Sequence, residues 1–226
     1  MALLSDFERI NNTLAKLHQS FGVRNDLDPK TTRWLFNIFE RCKRNGKFSD
    51  FVREIKLLFN LPMSFRLQYK YNRNLHDLPD FIRDLAIRSF QDPTEWAARV
   101  TIPSYLPLYG NPSLENFKLK IEIKKALKYE SFDSFFYCIS HEMSHVLLKL
   151  IRPELWEDEE ATDLLIMIMG FSKIVKRGSK SSISGHSYGY LSKEMLSFAY
   201  RKIRKMQKEN SFFGRKIVKI RKVLNL

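Results

Sequence analysis

Cysteine is scarce in this chain: Cys42 and Cys138 are the two thiols among 226 residues. Two cysteines are too few for a disulfide framework, and their scarcity favours a reducing compartment. Glycine and proline occur eight times each, which excludes a low-complexity chain. The longest apolar stretch, residues 164–170, is too short to cross a bilayer. The first residues show no basic region followed by an apolar run, so we expect no cleaved signal peptide and predict a cytoplasmic protein.

The composition is apolar enough for a core and strongly basic. Hydrophobic residues make up 44% of the chain, including eighteen phenylalanines, and the net charge is +14. Residues 193–226 hold eleven lysines and arginines against two glutamates. Such a basic, helical C-terminus could contact nucleic acid or an anionic membrane surface, or it could be a solvated helix face. No sequence signature of a nucleic-acid-binding fold accompanies it.

Hydrophobic periodicity predicts an α+β fold that is mostly helical. Residues 1–62 read as a helical segment of three amphipathic helices, with Trp34 and the phenylalanines in the core. Residues 63–226 read as the main domain, with a small mixed or antiparallel sheet packed on a helix over 132–150 and a basic helical C-terminus.

Further elements are expected within the main domain. Gly170 is interpreted as a helix stop or a point of close packing, and residues 173–190 as a loop. The other segments are strands at 65–71 and 117–123, a less regular apolar stretch over 96–105, helices at 79–90 and 191–203, and a separate basic amphipathic helix over 213–224.

The most informative motif is the pentad 141–145, which contains two of the five histidines of the chain. Apolar residues at three- and four-residue steps place it on a core helix, with Ser131 as N-cap. His141 and His145 then share one face and could supply half of a tetrahedral zinc site. Glu142, beside them, could take a proton from an attacking water. Alternatively, the two histidines are a surface pair or satisfied core residues.

An acidic run follows the pentad and suits the start of a second helix. Glu159 and Asp163, four residues apart, share a face of that helix. Glu159 could reach the metal, while Asp163 could accept the remaining ring N–H of a ligating histidine. Glu160 or Asp163 is the alternative third ligand, and Cys138 is more simply a small buried residue than a ligand. Taken alone, the acidic run would be a solvated helix start.

Together, His141-Glu142-x-x-His145 and Glu159-x-x-x-Asp163 resemble the gluzincin metallopeptidases, and the short spacing is closest to the compact minigluzincins. The resemblance covers about residues 132–171. It implies a zincin-like domain in which His141, His145 and Glu159 bind Zn²⁺, Asp163 supports a ligand and Glu142 is the general base. The implied activity is hydrolysis of peptide bonds in a peptide or protein substrate through a zinc-activated water.

Two other segments could serve such an activity. An edge strand beside the cleft, at 98–102 or 117–123, could pair with an extended substrate. The loop over 173–190 carries His186, Tyr188 and Tyr190, of which His186 and Tyr188 are our candidate oxyanion stabilisers.

The alternative function is a zinc-stabilised binding module that contacts nucleic acid through its basic C-terminus. A structural zinc site is normally closed by a fourth protein ligand, and the sequence offers no obvious one.

Overall fold

The computed structural model describes residues 2–70, 97–179 and 189–223, without the side chains before residue 4 and after residue 210. Within these ranges the fold is α+β and mostly helical, as the periodicity predicts. The expected helix at 79–90 lies outside the described residues. The elements in chain order are α1 (Ala2–Phe21), α2 (Pro29–Asn45), α3 (Ser49–Leu58), β1 (Ser64–Lys70), β2 (Ala98–Thr101), β3 (Lys118–Lys124), α4 (Phe132–Ile151), α5 (Glu159–Ile166), α6 (Ser172–Gly178) and α7 (Lys193–Val223).

The three strands form a mixed sheet in the order β1-β3-β2. The central strand β3 runs parallel to β1 and antiparallel to β2, with Leu67 and Val100 both opposite Ile121. The proposal that 117–123 is an edge strand is therefore wrong, because both sides of β3 are already hydrogen-bonded to neighbours. Among the described residues, the outer strand β2 has one neighbour in the sheet, and it lies along α4.

Helix α4 is the central element of the core. Ser131 caps it, as predicted, by accepting a hydrogen bond from the backbone N–H of Ser134 at 3.1 Å. Its side chains are buried on almost every side, because α2, α3, α5, α6 and β2 all contact it. The buried apolar residues of α1–α3 belong to the same core. The pentad therefore lies inside the protein, and its histidines are not a surface pair.

Three expectations about the secondary structure and core are wrong in part. Residues 173–178 of the expected loop belong to helix α6, because Ile174 and Val175 are buried in the core while Lys173 and Arg177 are exposed. The two expected C-terminal helices are one continuous helix, α7, which contains no proline. Trp34 and Phe36, both assigned to the core, are 47% and 45% exposed. In the described part of the chain, no helix is both long and apolar enough to cross a membrane.

A π-helical turn, Met167–Phe171, connects α5 to α6. Segment 24–27 packs against it: the Arg24 N–H donates to the Ile168 carbonyl at 2.9 Å, and the Leu27 N–H donates to the Gly170 carbonyl at 3.0 Å. Gly170 has a φ of 96°, and a Cβ atom there would overlap the backbone carbonyl of Asn25. The predicted close-packing role of Gly170 is therefore confirmed.

Helix α6 ends in a second close contact. Gly178 lies against the backbone carbonyl of Asp133, in the first turn of α4. The guanidinium of Arg177 pairs with both carboxylate oxygens of Asp133, at 2.8 and 2.9 Å. The C-terminus of α6 is thereby fixed on the N-terminus of α4.

Candidate metal centre

Three ligand-type side chains from two helices meet at one point. His141 and His145 lie one turn apart on α4, and Glu159 is the first residue of α5. The Glu159 Oε2 atom lies 2.8 Å from His141 Nε2 and 3.3 Å from His145 Nε2, and the two Nε2 atoms are 3.2 Å apart. The structure thus brings together the three residues that the sequence assigns to the metal.

The turn between the two helices places Glu159. A short 3-10 helix, Pro153–Leu155, follows α4, and Leu155 is buried. The Lys149 ammonium lies 3.7 Å from the centroid of the Trp156 ring, which holds this aromatic side chain against α4. Asp158 then caps α5 by accepting the Ala161 N–H at 3.0 Å. The first residue of α5 therefore faces the histidines.

Each imidazole is held through its other nitrogen. The Nδ1–H of His141 donates to Asp163 Oδ1 at 2.9 Å, and the Nδ1–H of His145 donates to the Trp156 carbonyl at 2.6 Å. A carbonyl and an ionised carboxylate can only accept, so the proton of each neutral ring lies on Nδ1. Both Nε2 lone pairs consequently face the space beside the Glu159 carboxylate.

This arrangement of acceptors fits a metal ion. Two lone pairs and a carboxylate oxygen repel one another unless a cation or a shared proton lies between them. Ligand atoms in a tetrahedral zinc site are about 3.3 Å apart, given bonds of roughly 2.0–2.1 Å. The three observed separations, 2.8, 3.2 and 3.3 Å, lie near that value. We conclude that the group could hold a metal ion.

Electrostatics at the site are dominated by the paired charges. Burial lowers the pKa of His141, but its hydrogen bonds with Asp163 and Glu159 outweigh burial and raise the pKa to about 10. Burial raises the pKa of Glu159, but the two histidines outweigh it and lower the pKa to about 2. In the metal-free protein, His141 is therefore protonated, and its positive charge lies beside Glu159, where a metal ion would otherwise supply positive charge.

This proton gives the metal-free protein a pH-dependent stability. Because folding raises the pKa of His141 from 6.5 to about 10, its contribution is complete below pH 6.5 and is lost as the pH rises to about 10. We therefore expect the free energy of unfolding, measured by urea denaturation with a chelator present, to fall across this range. The His141→Gln variant should lack this component, and an equal fall in both proteins would contradict the prediction.

Asp163 connects three parts of the site through one buried carboxylate. Its Oδ1 atom accepts from His141 and from the Tyr137 hydroxyl, and its Oδ2 atom accepts the backbone N–H of Tyr190 at 2.9 Å. Burial, and then the charge of Asp163, raises the pKa of Tyr137 well above its usual value, so this tyrosine remains a donor. Gly189 has a φ of 107°, and a Cβ atom there would overlap the Tyr137 hydroxyl.

Glu142 lies next to the ligands and is 7% exposed. Its Oε2 atom accepts the backbone N–H of Val100, on strand β2, at 2.7 Å. Burial raises the pKa of Glu142, against the opposing effects of the two histidines and of the Val100 N–H. A carboxylate with a raised pKa, fixed beside a metal site, is suited to accept a proton near neutral pH.

Tyr190 is the described member of the three loop candidates, since His186 and Tyr188 lie outside the described residues. Its ring stacks on that of His141, with centroids 5.4 Å apart and an interplanar angle of 22°. The side chain is 57% exposed, so it forms part of the accessible surface of the site.

The alternative ligands lie elsewhere. Glu160 forms an ion pair with Arg9 at 3.0 Å, and Cys138 is buried outside the ligand group. Asp163 bonds to the Nδ1 side of His141, away from the shared space.

Sequence reasoning missed several supporting groups. Tyr137 precedes His141 by four residues, and that spacing could have revealed it. The Val100 N–H and the Trp156 carbonyl are backbone groups, and the residue type does not reveal that they take part in the site. Comparison of the chain with models of protein families, with curated proteins and with solved structures finds no match.

Proposed function

We propose that this protein is a zinc-dependent metallopeptidase. The observation that carries the proposal is the convergence of two Nε2 atoms and one carboxylate oxygen beside a separate, fixed carboxylate, that of Glu142. Two histidines and one glutamate form a ligand set used by catalytic zinc. Within the described residues the ligand group has three members, which favours a catalytic over a closed structural site.

Each residue of the site has a separate role in the proposed hydrolysis. When bound, zinc would supply Lewis acidity to the scissile carbonyl and lower the pKa of water toward neutrality. Glu142 takes the proton of the attacking water and delivers it to the leaving amine. Asp163 keeps the Nδ1–H tautomer of His141, so that Nε2 stays available as a ligand. Tyr190, whose ring stacks on that of His141, is the described candidate to donate a hydrogen bond to the developing oxyanion.

Strand β2 offers a place for an extended substrate. The Ala97 carbonyl accepts the Lys124 N–H at 3.0 Å, so Ala97 and alternate residues after it face β3. The backbone groups of Ala98 and Val100 therefore face the outer edge, where Glu142 takes the Val100 N–H. A peptide added at this edge would lie directly beside the general base.

Zinc content and hydrolysis measured together test the proposal. The purified protein should bind about one zinc per chain and cleave an unfolded protein substrate, and it should lose cleavage with a chelator and regain it with zinc. His145→Ala should lose both properties, whereas His18→Ala, which changes an exposed histidine on α1, should retain both. A protein that binds no more zinc than His145→Ala would disprove the metal site, and zinc binding without cleavage would disprove the activity.

A further inference from the structure

The outer face of the three-stranded sheet carries a dense cluster of positive charge. Side chains alternate along each strand, with Leu119, Ile121 and Ile123 buried on the inner face. The opposite surface, named here the basic sheet face, is formed by Ser64, Arg66, Gln68, Lys70, Arg99, Thr101, Lys118, Lys120, Glu122 and Lys124. It therefore holds six cations and one carboxylate.

The single acid is already neutralised. Glu122 accepts from Lys120 at 2.9 Å and from Lys70 at 3.3 Å, and the hydrogen bond with Lys120 is the main cause of its lowered pKa. By contrast, Arg66, Arg99 and Lys118 are exposed and form no ion pair with the residues that the structure describes. The face thus has net positive charge that no described side chain balances.

The strand register places like charges directly opposite each other. Arg66 is the partner of Lys120, and Lys70 is the partner of Lys124, across the β1–β3 pair. Like charges in directly opposite positions of a sheet are destabilising. Glu122 offsets this repulsion at Lys120 and Lys70, but Arg66 has no acidic partner among the described residues, so the face carries more positive charge than the ion pairs of the sheet use.

We propose that the basic sheet face binds the phosphate backbone of a nucleic acid. Along one strand, the backbone positions of alternate residues are about 6.7 Å apart, and neighbouring strands are about 4.8 Å apart. The cations are therefore close enough to neutralise several phosphates together. The face has no aromatic side chain on which a base could stack, so binding would follow the backbone with little sequence preference. This activity needs no metal and goes beyond the proposed peptidase.

The composition of the face favours nucleic acid over a membrane. Its uncharged members are Ser64, Gln68 and Thr101, so it offers no apolar side chain to enter the acyl region of a bilayer. The face also differs from the interface that the sequence suggested. That interface lies in 193–226, where the side chains after residue 210 are outside the described part of the chain, and it stays a prediction.

Two triple variants with equal charge loss test the proposal. Arg66→Gln/Arg99→Gln/Lys118→Gln removes three exposed cations from the face, and Arg201→Gln/Lys202→Gln/Lys205→Gln removes three exposed cations from α7. Binding of a fluorescent 20-nucleotide single-stranded RNA would be followed by anisotropy between 50 and 200 mM salt. The sheet variant should bind about tenfold more weakly or worse, and the slope of log K against log salt should fall by about 2.

The control variant should bind within about twofold of the parent. Equal weakening of both variants, or parental binding by the sheet variant, would overturn the proposal. So would a sheet variant that loses binding only to phosphatidylserine vesicles.

Thermal unfolding of the sheet variant should occur at or above the parental temperature, because the Arg66–Lys120 repulsion is removed. The single Lys118→Gln variant, at the first residue of β3, should show a smaller loss in the same assay, and parental RNA binding would again contradict the proposal.

Discussion

Replacing Glu142 with glutamine should lower kcat for peptide hydrolysis by about 10³-fold, while the zinc content stays at the parental level. The amide has nearly the same shape and can still accept the Val100 N–H through its oxygen, so the local structure is retained. It cannot, however, take a proton from water. Steady-state cleavage of a fluorogenic peptide and metal analysis of the same preparation measure the two properties.

Glu160→Gln is the matched control for this variant. Glu160 directly follows Glu159, the proposed ligand, but forms an ion pair with Arg9. Its replacement should leave kcat within about twofold of the parent, because surface ion pairs contribute little. If Glu142→Gln cleaves as fast as Glu160→Gln, the carboxylate of Glu142 is not the base and the proposed mechanism fails.

Gly170→Ala should show the largest loss of stability, about 3 kcal/mol or more. A φ of 96° is unfavourable for any residue with a Cβ atom, and here that atom would also overlap the Asn25 carbonyl. The contact lies in the turn directly after α5, which carries Glu159 and Asp163. Urea denaturation of the zinc-free protein measures the change without a contribution from metal binding.

The Gly46→Ala variant measures the cost of backbone strain without steric overlap. Gly46 ends α2 with a φ of 67°, and a Cβ atom there meets nothing within 4 Å. Its replacement should cost about 1 kcal/mol, the penalty of the left-handed conformation alone. Equal losses in the two variants would show that segment 24–27 moves away easily and that Gly170 is not a point of tight packing.

The sequence was most informative where chemistry and helical periodicity coincide. Residues four apart on α4 and on α5 were assigned to shared faces, and the structure brings His141, His145 and Glu159 together. These predictions succeed because the helical repeat is a local property that neighbouring residues determine. The mostly helical α+β fold follows from the same kind of local pattern, whereas the sequence left the sheet open as mixed or antiparallel and the structure shows it to be mixed.

Features that depend on long-range placement could not be derived. Strand β3 has the stronger alternation, yet it is central, and β2 is an outer strand of the sheet that the structure describes, because strand order is not encoded in either strand alone. The basic sheet face combines residues from three separate segments between 64 and 124, whereas the charge of 193–226 is visible as one run. The structure shows which strands are neighbours in the sheet, and therefore which side chains share one face.

The glycine contacts at the two ends of residues 179–188 have a consequence for redesign. Gly178 is held against Asp133, and Gly189 against Tyr137, so the ends of this stretch lie about one turn of α4 apart. A Cβ atom at either glycine would press on α4, at the Asp133 carbonyl or at the Tyr137 hydroxyl that donates to Asp163. Any redesign of this region should therefore retain both Gly178 and Gly189.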